Sequence, residues 1–143
     1  MSLLLLLIPL IEIWFVTIEE NYGDLDDLAF SPLVQMVSYD NAKDNKKKAI
    51  SENESKSGVY RWTHLDSNNL YVGSSVNLGI RFINYFNISF ILHLTRNSMI
   101  INRALLKHGY GKFKLEILEY CDPKEVAKRE QYTWIFYLQF IIH

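Results

Sequence analysis

Hydrophobic and polar positions follow two different regimes along the chain, and the change comes near Gly58. After it the pattern is regular. Two short β-prone runs, Val59–His64 and Leu70–Ser74, flank the turn-rich Leu65-Asp66-Ser67-Asn68-Asn69, which predicts a hairpin. Residues 76–86 and 98–108 carry apolar positions at helical period, the second closed by Gly109 as a C-terminal cap. Lys112–Tyr120, KFKLEILEY, alternates and predicts a third strand with Phe113, Leu115, Ile117 and Leu118 inward. Asp122-Pro123-Lys124-Glu125 offers a cap, a first-turn proline and an acid three residues past the cap, so a last helix should run from Pro123 to at least Tyr137. The order β-β-α-α-β-α describes a small α+β domain with a three-stranded antiparallel sheet flanked by helices.

Before Gly58 the pattern is different. Residues 1–18, MSLLLLLIPLIEIWFVTI, form an apolar leader at the lower length limit for a membrane span, interrupted by Pro9 and Glu12 and preceded by no basic residue. Residues 19–56 begin with acids and pass into DNAKDNKKKAISENESK, which predicts an acidic and polar linker. The expected division is therefore leader 1–18, linker 19–56 and folded domain 57–143. At 143 residues with 49% hydrophobic and 22% charged positions, the chain has the composition of one globular domain. Its single cysteine excludes an internal disulfide, and its four histidines show no zinc-ligand spacing.

Charge changes the picture. The net -1 divides into -5 over residues 1–56 and +4 over 57–143, with a local +6 between Ser57 and Leu115. Such a block suits a polyanion, although an ordinary solvated face has the same composition. Three features carry candidate chemistry. Tyr60 and Tyr71 stand eleven apart, on or near opposite positions of the hairpin, where an ordinary packing pair is the plain alternative. Asn77, Arg81, Asn84 and Tyr85 form a polar stripe on an otherwise apolar helix, which places a guanidinium suited to phosphate beside the phenols; a surface arginine is the plain alternative. Glu130 shares a helical face with Val126, Ala127, Trp134 and Tyr137, a costly place for an acid without a partner such as Arg103 or a divalent cation.

These residues resemble the GIY-YIG nuclease family. Gly58-Val59-Tyr60, Tyr71-Val72-Gly73-Ser74, Arg81 and Glu130 stand in that family's order and spacing over about residues 57–132, and the local wording is similar to homing endonucleases encoded in fungal mitochondrial introns. The resemblance implies Mg²⁺-dependent hydrolysis of double-stranded DNA by a mitochondrial, monomeric enzyme with no small-molecule substrate. Carried over by position, Tyr60 and Tyr71 would position or deprotonate water, Arg81 would neutralise phosphate charge and Glu130 would hold the metal. Gly58, Gly73, Asn77, Tyr85 and Asn97 would support them. An unperturbed phenol is a poor base at neutral pH, so Tyr60 would need the metal or Arg81 to depress its pKa. Tyr85 and Asn97 stand where some members have histidines. After Tyr132 the run TWIFYLQFIIH leaves the family pattern and no DNA-binding module follows, so a truncated, inactive remnant that at most binds nucleic acid is the competing expectation. A membrane-anchored protein, resting on contact of residues 1–18 with a bilayer, is the weaker one.

Overall fold

A computed structural model describes residues 36–93 and 99–142, with side chains to residue 137 at the C-terminal end. The leader 1–18, the acidic run that follows it and Asn97 lie outside the described residues. Four antiparallel strands, β1 (Val37–Tyr39), β2 (Gly58–His64), β3 (Leu70–Ser75) and β4 (Phe113–Tyr120), form one sheet in the order β1-β4-β2-β3. The sheet thus has four strands rather than three, and the expected α+β class holds. Helices α1 (Lys46–Glu52), α2 (Leu78–Phe86), α3 (Ile88–Leu92) and α4 (Ile100–His108) supply residues to the core on one face; α5 (Val126–Ile142) packs against β2 and β3 on the other.

This two-sided cover explains why β2 shows no alternation: every one of its residues is buried. Tyr60 and Trp62 enter the larger core with Leu78, Phe82, Leu105, Phe113, Leu115 and Ile117. Val59 faces the other way, into a smaller core with Leu118, Val72 and Tyr137. Leu118 is therefore inward as expected, but toward α5. Arg61 and Glu116 share that second side. They form a buried ion pair, and Arg61 also donates to the Tyr137 hydroxyl at 2.5 Å. A register shift between Val59 and Tyr60 in the β2–β4 ladder bends the strand where Gly58 lies so close to β4 that a Cβ would stand 2.2 Å from the Glu119 carbonyl oxygen.

The linker expectation is corrected for its second half. Val37–Tyr39 extend the sheet by pairing with Leu115–Ile117 of β4, and α1 lies against α2. Tyr39, Ala42, Ala49 and Asn53 are buried. The Asn53 amide donates to the Tyr39 hydroxyl (3.0 Å), Tyr120 donates to the Asn53 carbonyl oxygen (2.6 Å), and the Asn53 backbone carbonyl receives the Gly79 amide (3.0 Å). Small apolar residues at spacings of a helix turn, joined by one satisfied asparagine, bind this segment to the core although its composition is that of a linker. No helix among the described residues is long and apolar enough to cross a membrane.

Candidate active site

β3 is an edge of the sheet, and the site is built around that edge. A cavity of about 310 Å³ is lined from the larger-core side by Tyr60, Tyr71, Gly73, Arg81 and Tyr85, and from the α5 side by Ser74 and Glu130. The four residues singled out for chemistry, drawn from β2, β3, α2 and α5, therefore share one concave surface.

The local sequence explains each placement. In the hairpin register Tyr60 is opposite Gly73 and Trp62 opposite Tyr71, so the two tyrosines are diagonal neighbours on one face, not a direct pair. The Tyr60 ring lies across Gly73; a Cβ there would stand 2.5 Å from the phenolic oxygen, which is why this position is glycine. Asn77 caps α2 by accepting from the Ile80 amide at 3.2 Å, and from that start Leu78, Phe82, Tyr85 and Phe86 turn inward. Arg81 then emerges exposed at the cavity rim, one turn before the buried Tyr85. Tyr85 joins the set directly: its hydroxyl is 2.7 Å from that of Tyr60 and within hydrogen-bonding reach of Arg81.

Glu130 comes from the opposite side of the sheet. It sits half-buried near the start of α5, and Ser74 donates to its Oε2 at 2.5 Å across the edge of β3. Among the described residues no ion pair joins it to Arg103. Ser74 ends the Tyr71-Val72-Gly73-Ser74 motif, and nothing in the sequence marks it as a partner of Glu130. Its separation of 56 residues from Glu130 leaves no local signal, since only the edge position of β3 brings the two together.

Three expectations are corrected here. Asn77 does not belong to the site: it is a helix cap, and it borders a separate cavity with Ile50, Gly79 and Ile83. Asn84, the next member of the polar stripe, opens onto a neighbouring cavity with Arg81 and Asn102. Arg81 does not by itself depress the Tyr60 phenol, which is raised well above the usual tyrosine value. Burial dominates, the Tyr85 hydroxyl adds to it, and the opposing pull of Arg81 is smaller. Tyr85 is raised as well, again by burial, against the lowering contacts with Tyr60 and Arg81. The basic block is also thinner than its count: Arg61 is buried on Glu116, Lys114 bonds the same carboxylate at 2.6 Å, and Lys112 stands 3.9 Å from Asp66. Gly73 lines the cavity and makes room for the Tyr60 ring, whereas Gly58 is not part of the lining and lies against the β4 backbone at Glu119.

A divalent cation fits this donor set in one specific way. Among the described residues no three His, Cys, Asp or Glu side chains cluster, so an all-protein cage is not formed. Glu130 presents one carboxylate to an open cavity with Ser74 fixing one of its oxygens. Mg²⁺ is commonly held by one or two carboxylates, with waters and substrate phosphates completing its shell.

A family model described as the GIY-YIG catalytic domain matches residues 56–135. The UvrABC system protein C of Bifidobacterium longum strain DJO10A is 31% identical over 90 residues, 62% of this chain, and the same protein of strain NCC 2705 matches equally. The chain spans 12% of the length of those relatives. No solved structure matches it.

Proposed function

Because the chain belongs to the GIY-YIG catalytic-domain family, we propose that it is a divalent-metal-dependent endonuclease acting on double-stranded DNA, of the intron-homing type. The observation that carries this reading is the convergence of Tyr60, Tyr71, Arg81 and Glu130 on one open cavity at the edge of β3. In-line displacement at phosphorus requires charge neutralisation, an oriented water and a protonated leaving oxygen. Arg81, exposed at the rim, meets the phosphate oxygens and offsets the charge that develops on them. Glu130, oriented by Ser74, would hold the cation. Bound there, a divalent cation supplies further charge neutralisation and makes water a better nucleophile near neutral pH.

Burial holds the proton on Tyr60 at neutral pH, so its hydroxyl acts through hydrogen bonding within the Tyr60–Tyr85–Arg81 chain. Tyr71, half-buried on the cavity wall, orients substrate oxygens from the strand side. The continuous α5 argues against an inactive remnant. The family match ends at residue 135, and the helix runs unbroken past it to Ile142, tied back to β2 by Arg61 and Tyr137. The homing type and a mitochondrial location rest on the wording of residues 57–132, and a homing enzyme cuts one site in a long duplex where a general nuclease scatters its nicks.

The deciding experiment is conversion of supercoiled plasmid to nicked circle by the full chain with Mg²⁺ and with EDTA. Nicking that EDTA abolishes, and that falls at least about 10²-fold in Arg81→Ala and Glu130→Ala, is the expected result. Nicking that survives both substitutions would belong to another site or a contaminant.

A further inference from the structure

We propose that the segment before the family-matched region carries a second DNA contact, a lysine face on α1 and its preceding turn that grips phosphates beside the cleavage site. The proposal rests on the endonuclease reading above and adds a surface which that reading does not use.

The amides of Asn45 and Ala49 bond back to the carbonyls of Asn41 and Asn45, so the chain is helical in hydrogen bonding from about residue 41 onward. At i, i+3 and i+4 on that turn-and-helix stand Lys43, Lys46 and Lys47, which share one face. All three are exposed, while Ala42 and Ala49 are buried. Asp44 is the acid that shares this face, three residues before Lys47; Asp40 accepts from the Ser38 hydroxyl at 2.7 Å, and Glu52 is engaged by Tyr39. Two of these three lysines lie against neighbouring residues. The Lys46 ammonium lies 5.9 Å from the centre of the Phe86 ring, and the Lys43 stem runs 3.8 Å from where a Gly111 side chain would begin. Lys43 thereby abuts the short turn that ends in Lys112.

Phe86 directly follows Tyr85, whose carbonyl receives the Tyr110 hydroxyl at 2.5 Å, so the lysine face and the catalytic cavity flank the same helix. That helix has nine residues and is about 13 Å long, less than one turn of duplex, so one DNA backbone can meet Arg81 and the lysines together. Lysines contacting phosphate add affinity and salt dependence without reading sequence.

The test compares the full chain with the triple variants Lys43→Ala/Lys46→Ala/Lys47→Ala and Lys43→Arg/Lys46→Arg/Lys47→Arg. Duplex binding is followed by fluorescence anisotropy at several salt concentrations, with thermal melting as the folding control. The alanine variant is expected to melt as the parent does. Its slope of log affinity against log salt should be shallower by up to about 2.7, from about 0.9 per phosphate lost. KM for nicking should rise while the rate at saturating DNA is kept, and the arginine variant should restore both binding and KM. An unchanged slope and affinity in the alanine variant would overturn the proposal. Salt-dependent binding that the alanine variant loses, in a parent that nicks nothing, would sink the endonuclease reading and leave the lysine face standing.

Discussion

The hydroxyls of Tyr60 and Tyr85 face each other at 2.7 Å in a place where burial holds the proton on both, and that one contact fixes several outcomes. Gly73→Ala inserts a methyl into the space of the Tyr60 hydroxyl. The ring must swing, so the Tyr85 contact should be lost and the fold destabilised by about 1–3 kcal/mol, readable in urea titration. Nicking should fall with it, because the same ring lines the cavity. The pH dependence has a definite sign. Tyr60, Tyr85 and Tyr110 are all raised by burial, Tyr110 to about 12. Up to about pH 9 both folded and unfolded chains keep these protons, so stability is unaffected by them. Above that, the unfolded chain ionises first, and stability should fall as pH climbs toward the folded values. Denaturation midpoints between neutrality and about pH 11 measure this; a midpoint flat across that range would mean that the phenols are not buried as described.

At the scale of elements, the segment with the composition of a linker turns out to be structural. β1 and α1 were illegible for a physical reason: a three-residue strand is too short to show alternation, and a helix reading KKKAISE buries only one alanine. Their attachment depends on small contacts that hydropathy does not register, such as Asn53 between Tyr39 and Tyr120, or Gly79, where a Cβ would stand 2.9 Å from the Glu54 α-carbon. The hairpin, α2, α4 and α5 were legible because each carries a long apolar period or a cap residue. The site shows the same contrast. Tyr60, Tyr71 and Arg81 lie within one hairpin and its following helix, so spacing revealed them, and Glu130 showed itself as an acid in an apolar stripe. Ser74 and the Tyr60–Tyr85 contact depend on tertiary placement and left no such mark. Deleting residues 1–56 should therefore unfold or severely weaken the domain, against the expectation of an independent linker, whereas deleting only 1–35 tests the leader alone. Asn53→Ala should cost about 1–3 kcal/mol by orphaning buried partners, measured as a shift in denaturation midpoint.

The described residues form a sheet with two unequal cores, and the active cavity needs both, since Glu130 belongs to α5 while its phenolic partners face the other side. What keeps α5 in register is polar. Arg61 in β2 bonds Glu116 in β4 and the Tyr137 hydroxyl in α5, and Arg129 pairs with Glu119 at 2.6 Å next to Glu130. Tyr137 is two helical turns past Glu130 and just outside the family-matched span, so this anchor lies where the sequence leaves the family pattern. Glu116 is wholly inaccessible, and removing Arg61 leaves it with the part-exposed Lys114, at 2.6 Å, as its remaining cationic partner. Arg61→Ala should therefore destabilise by about 1.5–3 kcal/mol through the lost charge-assisted hydrogen bonds, and the paired Arg61→Met/Glu116→Leu should recover most of it because the buried carboxylate is then gone and Lys114 can turn to solvent. The double variant separates stability from geometry. It restores the fold without the hydrogen bond to Tyr137, so the start of α5 is less firmly fixed beside β3. Its unfolding midpoint should approach that of the parent while the Mg²⁺ concentration for half-maximal nicking rises. If that concentration is unchanged in the stable double variant, Arg61 holds the sheet together but has no part in placing Glu130.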